Sequence, residues 1–133
     1  MSNTHFSGPI SLGSGSIERI TAAKVIDYED NGKTFILAGA NGVAVTLPAP
    51  KSGVRLGFIV GAVFATDYVF TSTAANIVGV VEEAGAVQAV GASTTITLED
   101  GAEALGDWFD LISDGTYWYI RGGFTTAASI TLG

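Results

Sequence analysis

Short runs of β-branched and aromatic residues, closed off again and again by turn-forming dipeptides, restrict this chain to an all-β fold. The runs fall near residues 24–28, 33–37, 43–47, 55–63, 67–72, 76–81, 94–98, 106–112 and 117–121. Asn31-Gly32, Asn41-Gly42, Asp100-Gly101 and Asp114-Gly115 tolerate the positive φ that tight hairpins require, so they predict short antiparallel strands in a sandwich or barrel. The clearest is Asp114-Gly115, set between Trp108-Phe109-Asp110-Leu111-Ile112 and Tyr117-Trp118-Tyr119-Ile120. Pro48-Ala49-Pro50 cannot donate to a ladder and marks a rigid corner after Val43–Leu47.

Apolar and polar residues alternate in Val43–Leu47 and Thr95–Leu98, which predicts strands buried on one face. Phe58–Phe64 is apolar on both faces, as in a central strand or one covered by a second subunit. Residues 78–91 carry Gly79, Gly85 and Gly91, each costing about 1 kcal/mol relative to Ala inside a helix, so a β excursion or loop is expected there. Glu103-Ala104-Leu105 offers at most a helical turn. No period of 20–50 residues is evident, which argues against a solenoid or propeller.

The chain divides into an extended N-terminal arm, residues 1–20, and a single all-β domain, residues 21–133, with a short C-terminal tail. The first 16 residues are rich in Ser and Gly, and Phe6, Pro9, Ile10 and Leu12 are the residues expected to anchor the arm on a partner. No strand is expected before Lys24.

Charged residues make up 14% of the chain against about 25% in ordinary soluble domains, so part of the surface is expected to lie under partner subunits. Candidate subunit-interface residues are Phe58, Val60, Phe64, Trp108 and Trp118. A net charge of −7 with scattered Lys and Arg argues against nucleic-acid binding. No stretch is long and apolar enough for a membrane span and no signal peptide is evident, so synthesis in a cytoplasm is expected. Cysteine is absent, which removes disulfides and thiolate metal sites.

Motifs for chemistry are weak. His5 is the sole histidine and sits in the arm, and neither G-x-S-x-G, S-x-x-K nor a phosphate-binding Gly-rich loop occurs. Asp27-x-Glu29-x-Asn31-Gly32 matches the start of an EF-hand loop, but Ala38 stands where the bidentate Glu belongs; a solvated hairpin tip is expected. Glu99-Asp100-Glu103 and Asp107-Asp110-Asp114 are carboxylate groupings of the kind used in glycoside hydrolysis or Ca²⁺ binding, and are read as charged rims. The aromatic cluster Trp108, Phe109, Tyr117, Trp118, Tyr119 suits a core or interface, with a sugar platform as the competing reading. No catalytic residue, metal or cofactor is expected.

Three stretches carry a family resemblance: Gly32-Lys33-Thr34-Phe35-Ile36-Leu37; Val45-Thr46-Leu47-Pro48-Ala49-Pro50 followed by Gly53 and Phe58; and Gly106-Asp107-Trp108 with Leu111–Thr116 and Trp118-Tyr119. They resemble a pattern in small head-decoration (cement) proteins and fibre β-domains of tailed phages. The opener Thr4-His5-Phe6-Ser7-Gly8-Pro9 is similar to the start of short proteins encoded beside major capsid genes. The resemblance implies a non-enzymatic homotrimer on the outside of the virion, bound to the major capsid protein and locking adjacent capsomers. The alternative is a head- or tail-fibre module that binds a receptor or carbohydrate.

Overall fold

The alternation of inward apolar and outward polar residues builds two facing sheets around one core in the computed structural model, which describes residues 16–133. The larger sheet contains β1 (Ile17–Ile20), β3 (Thr34–Leu37), β5 (Arg55–Val60), β7 (Ile77–Glu83), β8 (Ala86–Ser93), β10 (Trp108–Ser113) and β11 (Trp118–Phe124), in the order β1-β3-β5-β10-β11-β7-β8. The smaller contains β2 (Lys24–Val25), β4 (Ala44–Thr46), β6 (Tyr68–Thr71), β9 (Thr95–Leu98) and β12 (Ile130–Leu132), in the order β12-β9-β6-β4-β2. The all-β expectation holds. The sheets are mixed, however, not antiparallel.

From β1 to β6 the chain crosses to the opposite sheet after every strand, so β1, β3 and β5 run parallel in one sheet and β2, β4 and β6 run parallel in the other. The first half is therefore a coil of three rungs. Ile17, Thr34 and Gly57 stand in register, 17 and then 23 residues apart, and Lys24, Val45 and Phe70 stand 21 and then 25 apart. A coil with such unequal rungs leaves no fixed period, which is why the sequence argued against a solenoid. The second half adds antiparallel strands: β10 closes on β5 and β11, and β7 joins β11 in parallel while pairing with β8.

The turn dipeptides take new meanings in this topology. Asp114-Gly115 makes the expected β10–β11 hairpin, with Gly115 at positive φ. Asn31-Gly32, Asn41-Gly42 and Asp100-Gly101 instead sit where the chain passes between sheets. At Gly42 the requirement is space: a Cβ would lie 2.0 Å from the Thr66 carbonyl oxygen. Residues 77–93 form a hairpin whose two-residue turn, Ala84-Gly85, has positive φ at both positions. Alanine pays a steric penalty there, so the turn carries no familiar signature. Among the described residues the single helical piece is a 3-10 turn at Tyr28–Asp30, capped by the Asp27 carboxylate, and Glu103–Leu105 is irregular. The Asp27–Gly32 segment is thus a capped corner between the sheets, not a hairpin tip.

Two corrections concern the domain boundary and the interface. Residues 17–20, assigned to the arm, form β1 and pair with β3; only Ile20 of the four is buried, and the charged Glu18 and Arg19 between the two isoleucines interrupt the apolar run that signals a strand. The anchors Phe6, Pro9, Ile10 and Leu12 lie outside the described residues. Of the candidate interface residues, Phe58, Val60, Phe64 and Trp118 are buried in the protomer's own core, Phe58, Val60 and Trp118 because strand parity turns them inward and Phe64 because it packs from the β5–β6 connection edge-on against Tyr68; only Trp108, 41% exposed, is on the surface. The Trp118 indole N–H also donates to the Pro48 carbonyl, tying β11 to the corner beyond β4.

The centre of the core is aromatic. Phe35, Phe58 and Phe109 stand in register on β3, β5 and β10 and stack with centroids 5.3 and 4.8 Å apart. Phe70 of the smaller sheet meets Phe58 and Phe109 edge-on at 4.9 and 5.0 Å, the arrangement favoured by the ring quadrupoles. Tyr68, also buried, accepts a hydrogen bond from Gly39 N–H through its hydroxyl.

At the open end of the coil, Lys33 lies 2.9 Å from Glu18 and 2.8 Å from Asp30, and Lys24 lies 3.0 and 3.6 Å from the same two carboxylates. Burial alone would raise the Asp30 carboxyl, but the Lys33 and Asp27 N–H hydrogen bonds and the two lysine charges outweigh it and hold it below the usual range. Glu18 is lowered as well, chiefly by Lys33, and Lys33 is raised by both carboxylates.

Two outcomes follow from this packing. Phe58→Ala should destabilise the domain by about 3–5 kcal/mol, because it empties the centre of the stack; chemical denaturation measures this, and a loss under about 1 kcal/mol would contradict it. The depressed carboxylates contribute stability that is complete above their unfolded values near 4 and is lost as pH falls through the lower folded values. Asp30→Asn should therefore cost roughly 1.5–3 kcal/mol at pH 7, and the gap to wild type should narrow in denaturation curves recorded near pH 2.5.

Candidate functional site

The outer face of the larger sheet, opposite the phenylalanine stack, gathers side chains that neither core nor ion cluster uses. Inward Leu56, Phe58 and Val60 turn Arg55, Gly57 and Ile59 outward; inward Phe109 and Leu111 do the same for Trp108, Asp110 and Ile112. One row across the strands reads Arg19, Ile36, Ile59, Trp108, Gly123. The next reads Thr34, Gly57, Asp110, Arg121, and a third Arg55, Ile112, Tyr119.

All three arginines of the chain are on this face. Arg121 approaches Asp110 at 3.8 Å, a loose contact between exposed groups, while Arg19 and Arg55 have no carboxylate within 4.0 Å among the described residues. Gly57 leaves a shallow depression of about 230 Å³ between them, bordered by Thr34, Arg55, Asp110 and Arg121. The Trp108 ring lies against Gly123, where a Cβ would come within 2.9 Å of the indole nitrogen. Ile59 is its cross-strand neighbour, and Ile36, Ile59 and Ile112 are all half-buried on the same face. Arg and Trp among apolar neighbours, with other charges sparse, is the composition of a protein-binding surface.

The carboxylate groupings do not converge. Asp107 is buried and accepts from Ala104 N–H, Thr125 N–H and the Thr125 hydroxyl, holding the β9–β10 loop to the end of β11. Asp110 faces Arg121, and Asp114 caps its own turn by accepting from Thr116 N–H, Tyr117 N–H and the Tyr119 hydroxyl. Those bonds, Tyr117 N–H first, lower the Asp114 carboxyl, and Asp114 in turn raises the Tyr119 phenol. On the smaller sheet's side, Asp67 accepts from Asp100 N–H, and this carboxylate neighbour raises Asp100; Glu103 accepts from Phe64 N–H. No cluster of three or more potential metal ligands occurs among the described residues.

Strand alternation divides the aromatic cluster. Phe109 and Trp118 enter the core, whereas Trp108, Tyr117 and Tyr119 face outward, with the Tyr117 and Tyr119 rings 6.0 Å apart. The sequence reading passed over Ile36, Ile59 and the arginines; the signal available was parity, since each lies one residue from a core position. No helix among the described residues is long and apolar enough to cross a membrane. The chain matches no protein-family model, no curated protein and no solved structure.

The two tryptophans give a direct check. Acrylamide should quench Trp108 and spare Trp118, so Trp108→Phe should leave a blue-shifted emission that acrylamide hardly reduces. Strong quenching of that variant would mean that Trp118 is not enclosed.

Proposed function

We propose that this protein is a non-enzymatic structural subunit, a decoration protein that binds the outside of a phage head as a homotrimer and stabilises adjacent capsomers. The observation that carries the reading is the outer face of the larger sheet, where every arginine of a chain with only 14% charged residues stands among Trp108, Tyr119 and three isoleucines. A free monomer gains nothing from that arrangement, whereas a subunit repeated many times on a lattice gains from each small contact. The motif resemblance to head-decoration proteins supports the same reading. In it, Phe6, Pro9, Ile10 and Leu12 attach the arm to the major capsid protein, each large apolar anchor contributing about 1.5–3 kcal/mol when buried.

A second reading is a fibre or carbohydrate-binding module, favoured by the Tyr117–Tyr119 pair beside Asp114 at the hairpin end. Copy number separates the two.

The test is titration of the protein onto shells stripped of accessory proteins. Saturation at hundreds of copies in lattice stoichiometry is expected, and Phe6→Ala/Ile10→Ala/Leu12→Ala should weaken binding by at least tenfold. A few copies per particle would favour the fibre module, and no binding at all would sink the decoration reading.

A further inference from the structure

A sheet edge carries unpaired N–H and C=O groups that invite another strand, and natural edges are kept safe by being short, charged or interrupted by proline. Among the described residues there are four edges, and three follow this rule: β2 has two residues including Lys24, β12 has three, and β1 has four with Glu18 and Arg19 among them. The fourth, β8, does not. It runs eight residues, Ala86–Ser93, without a charge or a proline, and its register with β7 is regular from Ala86 to Val90 before a bulge at Gly91-Ala92. Four of those first five residues are exposed, Val87 to 71%. The pair that closes the two-residue turn, Glu83 with Ala86, exchanges the ladder bonds, so alternation leaves Val87 and Ala89 with N–H and C=O turned away from β7.

We propose that this edge takes the arm of a second copy of the chain as an added strand, with Ile10-Ser11-Leu12 laid along Val87–Ala89. The arm's sequence suits the place. Ile10 and Leu12 alternate with Ser11, the period of a strand covered on one face, and Ala86 and Gln88, which share the inward face of β8 with the buried Val90, are exposed and open to such a cover. With Ile10 and Leu12 bonded to β8, Pro9 stands in the new edge with its missing N–H outward, which stops a further strand from adding and supplies the protection that β8 lacks. Length decides whose arm it is. Leu12 is five residues from Ile17, the start of β1, a span of at most about 18 Å. β1 and β8 are opposite edges of the seven-stranded sheet, six strand steps or about 29 Å apart. They also lie at opposite ends of the sandwich, β1 beside β2 through Glu18 and Lys24, and the β7–β8 hairpin against β12 through Glu83 and Ile130. A chain's own arm therefore falls short of its own β8, and a neighbour set edge to edge supplies it. Each copy gives an arm and receives one, a heterologous contact that closes into a ring when the rotation between copies allows. The inference stands apart from the decoration reading: in the free protein the neighbour holds Ile10 and Leu12, and under that reading the capsid protein competes for the same residues on the shell.

Hydrogen exchange on the free full-length chain at micromolar concentration, with no shells present, tests it. The outward amides of an open edge exchange at close to the rate of unstructured peptide, whereas those of Val87 and Ala89 should be slowed at least tenfold, and dilution should remove the protection. Ile10→Asp/Leu12→Asp should remove it as well, with folding checked by the emission of Trp118 still shielded from acrylamide. Because the chain has no cysteine, Leu12→Cys and Ala89→Cys copies can be mixed and joined by a bismaleimide; a product of twice the 13.6 kDa chain should form, more abundant in the mixture than in either preparation alone. Fast exchange at Val87 and Ala89 in wild type overturns the proposal. Protection that survives Ile10→Asp/Leu12→Asp gives the edge to some other strand, such as β8 of a second copy, and protection that survives dilution without a mixed product leaves the arm on its own copy; either outcome overturns it too. Shell titration is read separately, so exchanged arms in a protein that never binds shells would end the decoration reading and leave this contact standing.

Discussion

Everything in this molecule is arranged around the stack of Phe35, Phe58 and Phe109 and the edge-on contact from Phe70. The stack holds the coiled first half to the antiparallel second half, because Phe58 belongs to the last rung of the larger sheet and Phe109 to the strand that closes on it. The contact from Phe70 holds one sheet to the other. With no disulfide and no metal-ligand cluster among the described residues, the joint between halves and layers is made by ring packing, with the Trp118 and Tyr68 hydrogen bonds fixing the rims. A core so committed to one face of each strand leaves the opposite face of the larger sheet free to take a different composition.

Much of the fold is legible in the chain. Alternation in Thr95–Leu98, the corner at Pro48–Pro50 and the Asp114-Gly115 hairpin all translate directly, because each is a local constraint of backbone and parity. Strand direction is not local. Asn31-Gly32 and Asp100-Gly101 report that the chain turns with positive φ, and nothing in either dipeptide says whether the next strand pairs beside the last or crosses to the facing sheet. The Ala84-Gly85 turn shows the opposite failure: a tight hairpin with an alanine where Asn or Gly is usual, accepted because the β7–β8 pairing on both sides over-determines it.

The candidate face is harder to read because it is assembled from residues far apart in sequence. Arg19, Arg55 and Arg121 look scattered along the chain and become one surface only after β1, β5 and β11 take their places in the sheet. Phe58 and Val60 draw attention by size, yet large apolar residues in register are what a core claims first. Their smaller-looking neighbour Ile59, one residue away, faces out onto the surface that the arginines share.

The strand order also dictates a schedule. β5, the last rung of the coil, presents an open edge until β10 arrives some fifty residues later, and β7 and β8 have no place in the sheet until β11 is laid down for them to join. A ribosome therefore releases a coil with a bare flank and a detached hairpin before it releases the strands that unite them. Long-range closures of this kind make folding slow relative to helical domains of equal size. The interval between coil and closure is when unpaired edges of different nascent copies are most exposed to each other.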